Sequence, residues 1–317
     1  MYFLSGLPRS GSTLLTSLLN QRPDAYASPT SNLCDTMGAA VSVWENNPTT
    51  QASGGKQEDL IRILQGIQES RYNTDKQIFD KSRGWVAPQI IKTLSKWQDV
   101  KIIATIRPIV DCVASFVKIV KPDNVYNFCK KGELVQHLLS SYHLLKSGYE
   151  TYPDKILLVE YDQLVSDTQV QMDRISTFIG MSMFTHNLSD VPDSTEEDKV
   201  WGIKNLHHVR KKVCKREYSI KKILGNELYN YYQDGEFWND KVESIKNIDL
   251  LDVQLDASLH GDFKKSKEIT KKLLVERPNC NRVKFNAGWH KLYEGELQAG
   301  HKLLDCGRLE NVFGNKH

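Results

Sequence analysis

Apolar positions fall in short blocks along the chain. The first, Tyr2-Phe3-Leu4, is followed by a glycine-bearing turn and then by Leu14, Leu15, Leu18 and Leu19 at helical spacing. That order predicts strand, loop, helix, with Asn20 to Pro23 ending the helix. Residues 24–57 are rich in Ser, Thr, Asn, Gly and Pro, which predicts mostly loop with one helix around 33–45. A helix is expected over about 58–70, with Glu58 and Asp59 in its first turn and Leu60, Ile61, Leu64 and Ile67 inward.

Val100 to Ile106 is the clearest buried strand. Pro108 then stands where a helix can start, and Val110, Val113, Phe116, Val117 and Val120 fall at helical spacing. Residues 132–149 predict another helix, 155–161 a second strand, and about 167–180 a further helix. Strand–helix alternation of this kind indicates an α/β fold: a P-loop-like parallel sheet flanked by helices. A basic stretch, 204–222, carries eight Lys/Arg against one acid, Glu217. The end of the chain differs. Gly261-Asp262-Phe263 recurs as Gly295-Glu296-Leu297, 34 residues later, each glycine lying between helical stretches. This period resembles tetratricopeptide repeats, although the usual Trp and Ala positions are missing. The expected division is therefore 1–242 for the α/β domain and 243–317 for a small all-helical repeat region.

Composition narrows the class. Of the 317 residues, 40% are apolar and 26% charged, the balance of an ordinary globular chain. No apolar run is long enough to span a bilayer, and the first residues lack the basic and apolar regions of a signal peptide. The six cysteines are scattered without a Cys-x-x-Cys pair, as expected of reduced thiols in a cytoplasmic setting. A net charge of +3 argues against a nucleic-acid coat. There is no His-Glu-x-x-His and no carboxylate cluster at ligand spacing, so no metal is expected.

Gly6-Leu7-Pro8-Arg9-Ser10-Gly11-Ser12-Thr13 has the glycine spacing of a Walker A loop. Such a loop turns backbone N–H groups and a helix N-terminus toward one anion. The lysine that would follow Gly11 is replaced by Ser12, and the cation is Arg9, which suits a single phosphate-like group rather than a triphosphate. Two further motifs follow in order: Arg107 at a strand end with Ser115 eight residues on, and Leu157-Leu158-Val159-Glu160-Tyr161-Asp162.

Leu7 to Leu15 resembles the 5′-phosphosulfate loop of sulfotransferases that use 3′-phosphoadenosine-5′-phosphosulfate (PAPS), in the arginine form of the bacterial and tyrosylprotein branches. The resemblance covers about residues 2–235. It implies that Arg9 holds the 5′-phosphate, with the backbone of Ser10, Gly11 and Ser12 and the hydroxyls of Ser12 and Thr13 completing the cup. It also implies that Arg107 and Ser115 bind the 3′-phosphate, that Tyr161 sits beside the adenine, and that Arg210, with Lys204 or His208, closes a basic loop over the nucleotide. Lys81, in Phe79-Asp80-Lys81-Ser82-Arg83, matches the lysine aimed at the leaving oxygen.

The base is harder to place. Arg83 stands where cytosolic relatives carry a catalytic histidine, and arginine stays protonated. The acidic residue of the tyrosylprotein branch has no counterpart in Ala27 to Ser31. Asp80 is the first substitute; Asp35, Glu45 and His137 are alternatives. The expected reaction is metal-independent transfer of a sulfuryl group from PAPS to a hydroxyl on a peptide, sugar or small molecule, releasing PAP. A protein partner is expected at the repeats, and neither nucleic acid nor membrane insertion is expected. Two other readings stay open: a P-loop kinase or NTPase, and a non-catalytic binding module.

Overall fold

The computed structural model describes residues 1–193, 198, 202–203, 206–214, 218–234, 236–238, 254, 257–258, 263–278 and 280–308, without the side chains of 276 and 306–308. The chain divides into two compact units, Met1–Asp240 and Lys241–His317.

The first unit is built on five parallel strands: β1 (Tyr2–Gly6), β2 (Ala25–Ala27), β3 (Gln77–Lys81), β4 (Ile102–Ile106) and β5 (Ile156–Glu160). Their order is β2-β3-β1-β4-β5. The helices are α1 (Ser12–Leu19), α2 (Leu33–Asn46), α3 (Pro48–Ala52), α4 (Gln57–Ser70), α5 (Pro88–Leu94), α6 (Ile109–Val120), α7 (Val125–Lys131), α8 (Glu133–Thr151), α9 (Tyr161–Ser166), α10 (Thr168–Ile179) and α11 (Ile220–Tyr232). The α/β class and parallel sheet expected from the chain are what the structure shows. Two local expectations are revised. A short strand, β2, lies inside the stretch read as loop, because Ala25 and Ala27 alternate inward against α1. Tyr161 starts α9 instead of ending the strand.

Every residue of β4 is buried, as a central parallel strand covered on both faces must be. On one face Leu4, Phe79, Ile103 and Val159 pack with Leu15, Leu18 and Leu19 of α1 and Met172 and Ile175 of α10. On the other, Phe3 meets Trp85 with ring centroids 4.5 Å apart. Trp85 belongs to a single 3₁₀ turn, Arg83–Val86. Helix α8 lies hard against that turn. A Cβ on Gly148 would come within 2.0 Å of the Val86 carbonyl oxygen, so only glycine permits the approach. Register pairs Leu4 with Lys81 and Gly6 with Thr105, so the carboxyl ends of β3, β1 and β4 finish together around the loop after β1. That is the place where open parallel sheets bind ligands.

The second unit contains α12 (Phe263–Glu276), α13 (Asn281–Tyr293) and α14 (Leu297–Arg308). Ile269, Leu273 and Val283 form its core, with Leu274 and Cys280 packed beside them. Helices α13 and α14 cross closely at Gly288 and Gly300, where a Cβ on Gly288 would sit 2.9 Å from the Gly300 carbonyl oxygen. Gly295, at φ +80, makes the turn between them. Gly261 lies outside the described residues. Among the described residues no helix is long and apolar enough to cross a membrane.

His186 is buried, its ring edge-on to Phe184. Burial, and then the nearby Arg22 guanidinium, lower its pKa below the ordinary 6.5, against an opposing pull from Asp173. The ring is therefore neutral in the fold and more easily protonated once unfolded. Its contribution to stability is complete above pH 6.5 and is lost as the pH falls from there through the folded-state pKa. Chemical denaturation at a series of pH values should show a smaller acid-side loss in His186→Gln than in the parent; identical slopes would contradict this role.

Candidate active site

The loop between β1 and α1 is held from beneath. Leu7 donates its N–H to the Thr105 carbonyl at 2.9 Å. The Ser10 hydroxyl, fully buried, lies 2.6 Å from the Leu7 carbonyl oxygen, 2.9 Å from the Thr105 carbonyl oxygen and 2.6 Å from Thr105 Oγ1. Ser10 N–H donates to Leu7 at 3.3 Å. The Ser10 hydroxyl thus braces the loop from below, and its N–H, the group the resemblance gave to the cup, is turned to the Leu7 carbonyl instead; Ser10 does not line the cleft. Gly11 caps α1 in a left-handed conformation (φ 92°), and no side chain caps the helix. The N–H groups of its first turn and the half-buried Ser12 and Thr13 open onto a cleft of about 580 Å³. A helix N-terminus of this kind attracts an anion through oriented N–H groups and the helix dipole.

Arg9 also has positive φ (68°). Its Nε donates to Ser115 at 3.2 Å, and its NH1 donates to the Leu206 carbonyl. The side chain therefore joins the first motif to the second, 106 residues away. The tie is reciprocal, because Arg107 NH1 donates to the Arg9 carbonyl at 3.3 Å. Arg107 is 6% exposed. Its NH2 reaches Asp111 at 3.2 Å and the Tyr218 hydroxyl at 3.1 Å, while its buried Nε has no hydrogen-bond partner among the described residues. The guanidinium lies 4.2 Å from the centre of the Tyr161 ring. The far side of that ring closes on Gly11, where an added Cβ would come within 2.8 Å of Tyr161 Cδ2. Gly11, Tyr161, Arg107 and Ser115 thus form one wall.

Lys81 ends β3 and lines the same cleft. Ser28 Oγ accepts its N–H at 2.9 Å, and Ser82 N–H donates to Leu4 at 3.0 Å, so the segment is pinned beside β1. Asp80 faces the other way, as alternation on a strand requires. It is fully buried, and its oxygens accept from the Tyr72 hydroxyl at 2.6 Å and Trp85 Nε1 at 2.8 Å. Burial, then the bond to Asp80, pushes the Tyr72 phenol up to about 12. Asp80 is absent from the cleft lining, so the expectation of Asp80 as base is corrected: its carboxylate is committed to the core. Of the alternatives, Asp35 and His137 line the cleft and Glu45 does not. His137 Nε2 stands 3.2 Å from Arg83 NH1.

A strap closes the cleft. Leu206 to Arg210 and Lys212 to Cys214 line it. Val191 N–H donates to Lys211 at 2.7 Å, and Asp193 accepts from the Val209 N–H at 2.8 Å and lies 2.6 Å from His208 Nδ1. Arg210 is exposed at the rim, where its NH1 meets Cys214 Sγ at 3.1 Å; no contact joins it to Arg107 or Ser115. Lys204 lies outside the described residues. Tyr218 and the Leu206 carbonyl were not singled out from sequence. Their only signal was the basic stretch around them, which does not say which residue reaches Arg107.

Compared with known proteins, residues 2–186 match a family model described as "Sulfotransferase family". No curated protein matches the chain. Among solved structures it is similar to the sulfotransferase domain from the curacin biosynthetic pathway, at 15% identity and a TM-score of 0.42, over 82% of this chain and 96% of that one. It is also similar to the sulfotransferase from Alicyclobacillus acidocaldarius, at 16% identity and 0.41, over 63% and 89% of the two chains. A third is retinol dehydratase in complex with androsterone and inactive cofactor PAP, at 15% identity and 0.33, over 58% and 60%.

Replacing Ser10 by alanine leaves both carbonyls their backbone donors but removes the hydroxyl that binds the loop to Thr105 and takes away the partner of Thr105 Oγ1. A stability loss of about 1–3 kcal/mol is expected. Urea midpoints check it; an unchanged midpoint would remove the anchoring role given to this hydroxyl.

Proposed function

The chain belongs to the sulfotransferase family, and from that premise we propose that it transfers a sulfuryl group from PAPS to a hydroxyl acceptor and releases PAP. The observation that carries this reading is the convergence of two phosphate-type sites on one cleft, tied through Arg9 and Arg107. A donor with phosphate at both ends of an adenosine suits such a pair. The uncapped start of α1, with Gly11, Ser12 and Thr13, takes the 5′-phosphate. Arg107 and Ser115 take the 3′-phosphate, and the unpartnered buried Nε of Arg107 is a donor that an anion would satisfy. Arg9 lies between the two sites, Tyr161 offers its ring to the base, and Arg210 stands at the rim.

The donor supplies an activated sulfuryl group. The protein supplies orientation and positive charge. Lys81, held beside the loop by Ser28, neutralises the oxygen that becomes negative as the phosphate departs. The Leu206 carbonyl and Tyr218 hydroxyl hold Arg9 and Arg107, and so hold the strap against the nucleotide site. The helical unit over 241–317 is, in this reading, the surface for a protein partner.

PAP should bind in calorimetry without magnesium; binding of ATP with magnesium, and none of PAP, would favour a kinase-type reading instead. Arg107→Ala should weaken PAP by about tenfold or more, since a charge-assisted bond to a phosphate is worth roughly 1.5–3 kcal/mol. Unaltered affinity would refute its assignment. For Lys81→Met, the single-turnover rate should fall about 100-fold while PAP affinity changes only a few-fold, because the charge acts chiefly in the transition state. Equal losses in both would show that Lys81 serves binding alone.

A further inference from the structure

We propose that His137, on α8, is the general base that deprotonates the acceptor hydroxyl. The inference rests on the sulfuryl-transfer reading and deepens it. With Asp80 turned into the core and Arg83 always protonated, the end of β3 supplies no base of its own. The base comes instead from across the cleft.

Three observations place it there. First, His137 is exposed on the cleft wall and is reachable by an acceptor. Second, its Nε2 faces Arg83 NH1 at 3.2 Å. A guanidinium only donates, so Nε2 carries the lone pair, the proton sits on Nδ1, and the ring is neutral. Third, Arg83 is fixed beside the nucleotide loop: its carbonyl accepts from Ser5 Oγ at 3.2 Å, one residue before Gly6. Arg83 follows Lys81 by two residues, and Lys81, Arg83 and His137 all line the one cleft. Asp35, from α2, also lines the cleft.

The electrostatics are consistent with this. Partial burial, then Arg83, lower the His137 pKa below 6.5, with Glu133 opposing. The charged groups that act on the ring are Arg83 from the turn after β3 and Glu133 on its own helix, while Lys81 and Asp35 line the same cleft. In the step, the acceptor O–H replaces the Arg83 donor at Nε2 and gives up its proton there. The acceptor oxygen bonds to sulfur, the bond between sulfur and the phosphate oxygen breaks, and that oxygen keeps the electron pair beside Lys81. The imidazolium then returns its proton to water.

The test is single-turnover PAP release from PAPS with 2-naphthol as probe acceptor, or with water where the phenol is not taken, alongside PAP calorimetry. His137→Gln should lower the rate about 100-fold, the range of general base catalysis, with PAP affinity within about threefold. The rate of the parent should fall on the acid side below pH 6.5, and this limb should vanish in His137→Gln. Arg83→Gln should move the limb upward, since a cation that depresses the imidazole pKa is gone. A His137→Gln enzyme that keeps the parent rate and its acid limb overturns the assignment, while leaving sulfuryl transfer standing. A parent protein that neither binds PAP nor consumes PAPS overturns both.

Discussion

Arg107 donates to the carbonyl of Arg9, and Arg9 donates to Ser115, eight residues beyond Arg107. This reciprocal pair couples the loop after β1 to the start of α6. The loop after β1 is bent away from regular structure, with Arg9 and Gly11 at positive φ. The coupling is stabilised from below by the Ser10 hydroxyl, whose contacts with Thr105 fasten the first loop to the end of β4. The result is one wall of the cleft made from two strand ends.

The same wall sets where everything else goes. Tyr161 is stacked between Gly11 and Arg107, so the ring is placed before any ligand arrives. The strap is drawn in because the two arginines offer donors that the Leu206 carbonyl and Tyr218 hydroxyl can meet. These two contacts fasten the strap to the wall of the cleft.

The sheet also explains which charged residues are available for chemistry. Consecutive residues of β3 face opposite sides, so Lys81 reaches the cleft only because Asp80 is buried. A buried carboxylate must be satisfied, and Tyr72 and Trp85 do this. The proton acceptor of the proposed sulfuryl transfer then comes from another element. Gly148 lets α8 approach the Arg83–Val86 turn closely enough for His137 to meet Arg83.

Local patterns were enough to read much of this molecule. Continuous apolar runs marked β1, β4 and β5, helical spacing marked α1, α6, α8 and α10, and the glycine loop with Arg107 and Ser115 marked segments that meet at the cleft, because these depend on neighbours in the chain. Short β2 and the direction of Tyr161 were not legible, since three residues carry no period and a strand end looks like a helix start. The bracing by the Ser10 hydroxyl, the burial of Asp80, the reach of Tyr218 to Arg107 and the contact of His137 with Arg83 were not legible either. A serine looks the same whether its hydroxyl lines a cup or braces it, and a histidine at a helix surface is ordinary until an arginine 54 residues earlier meets it. Chain order set the elements and the motifs. Which polar groups the core consumed and which it left facing the cleft was decided by packing, because burial obliges each donor and acceptor to find a partner that only the folded sheet brings near.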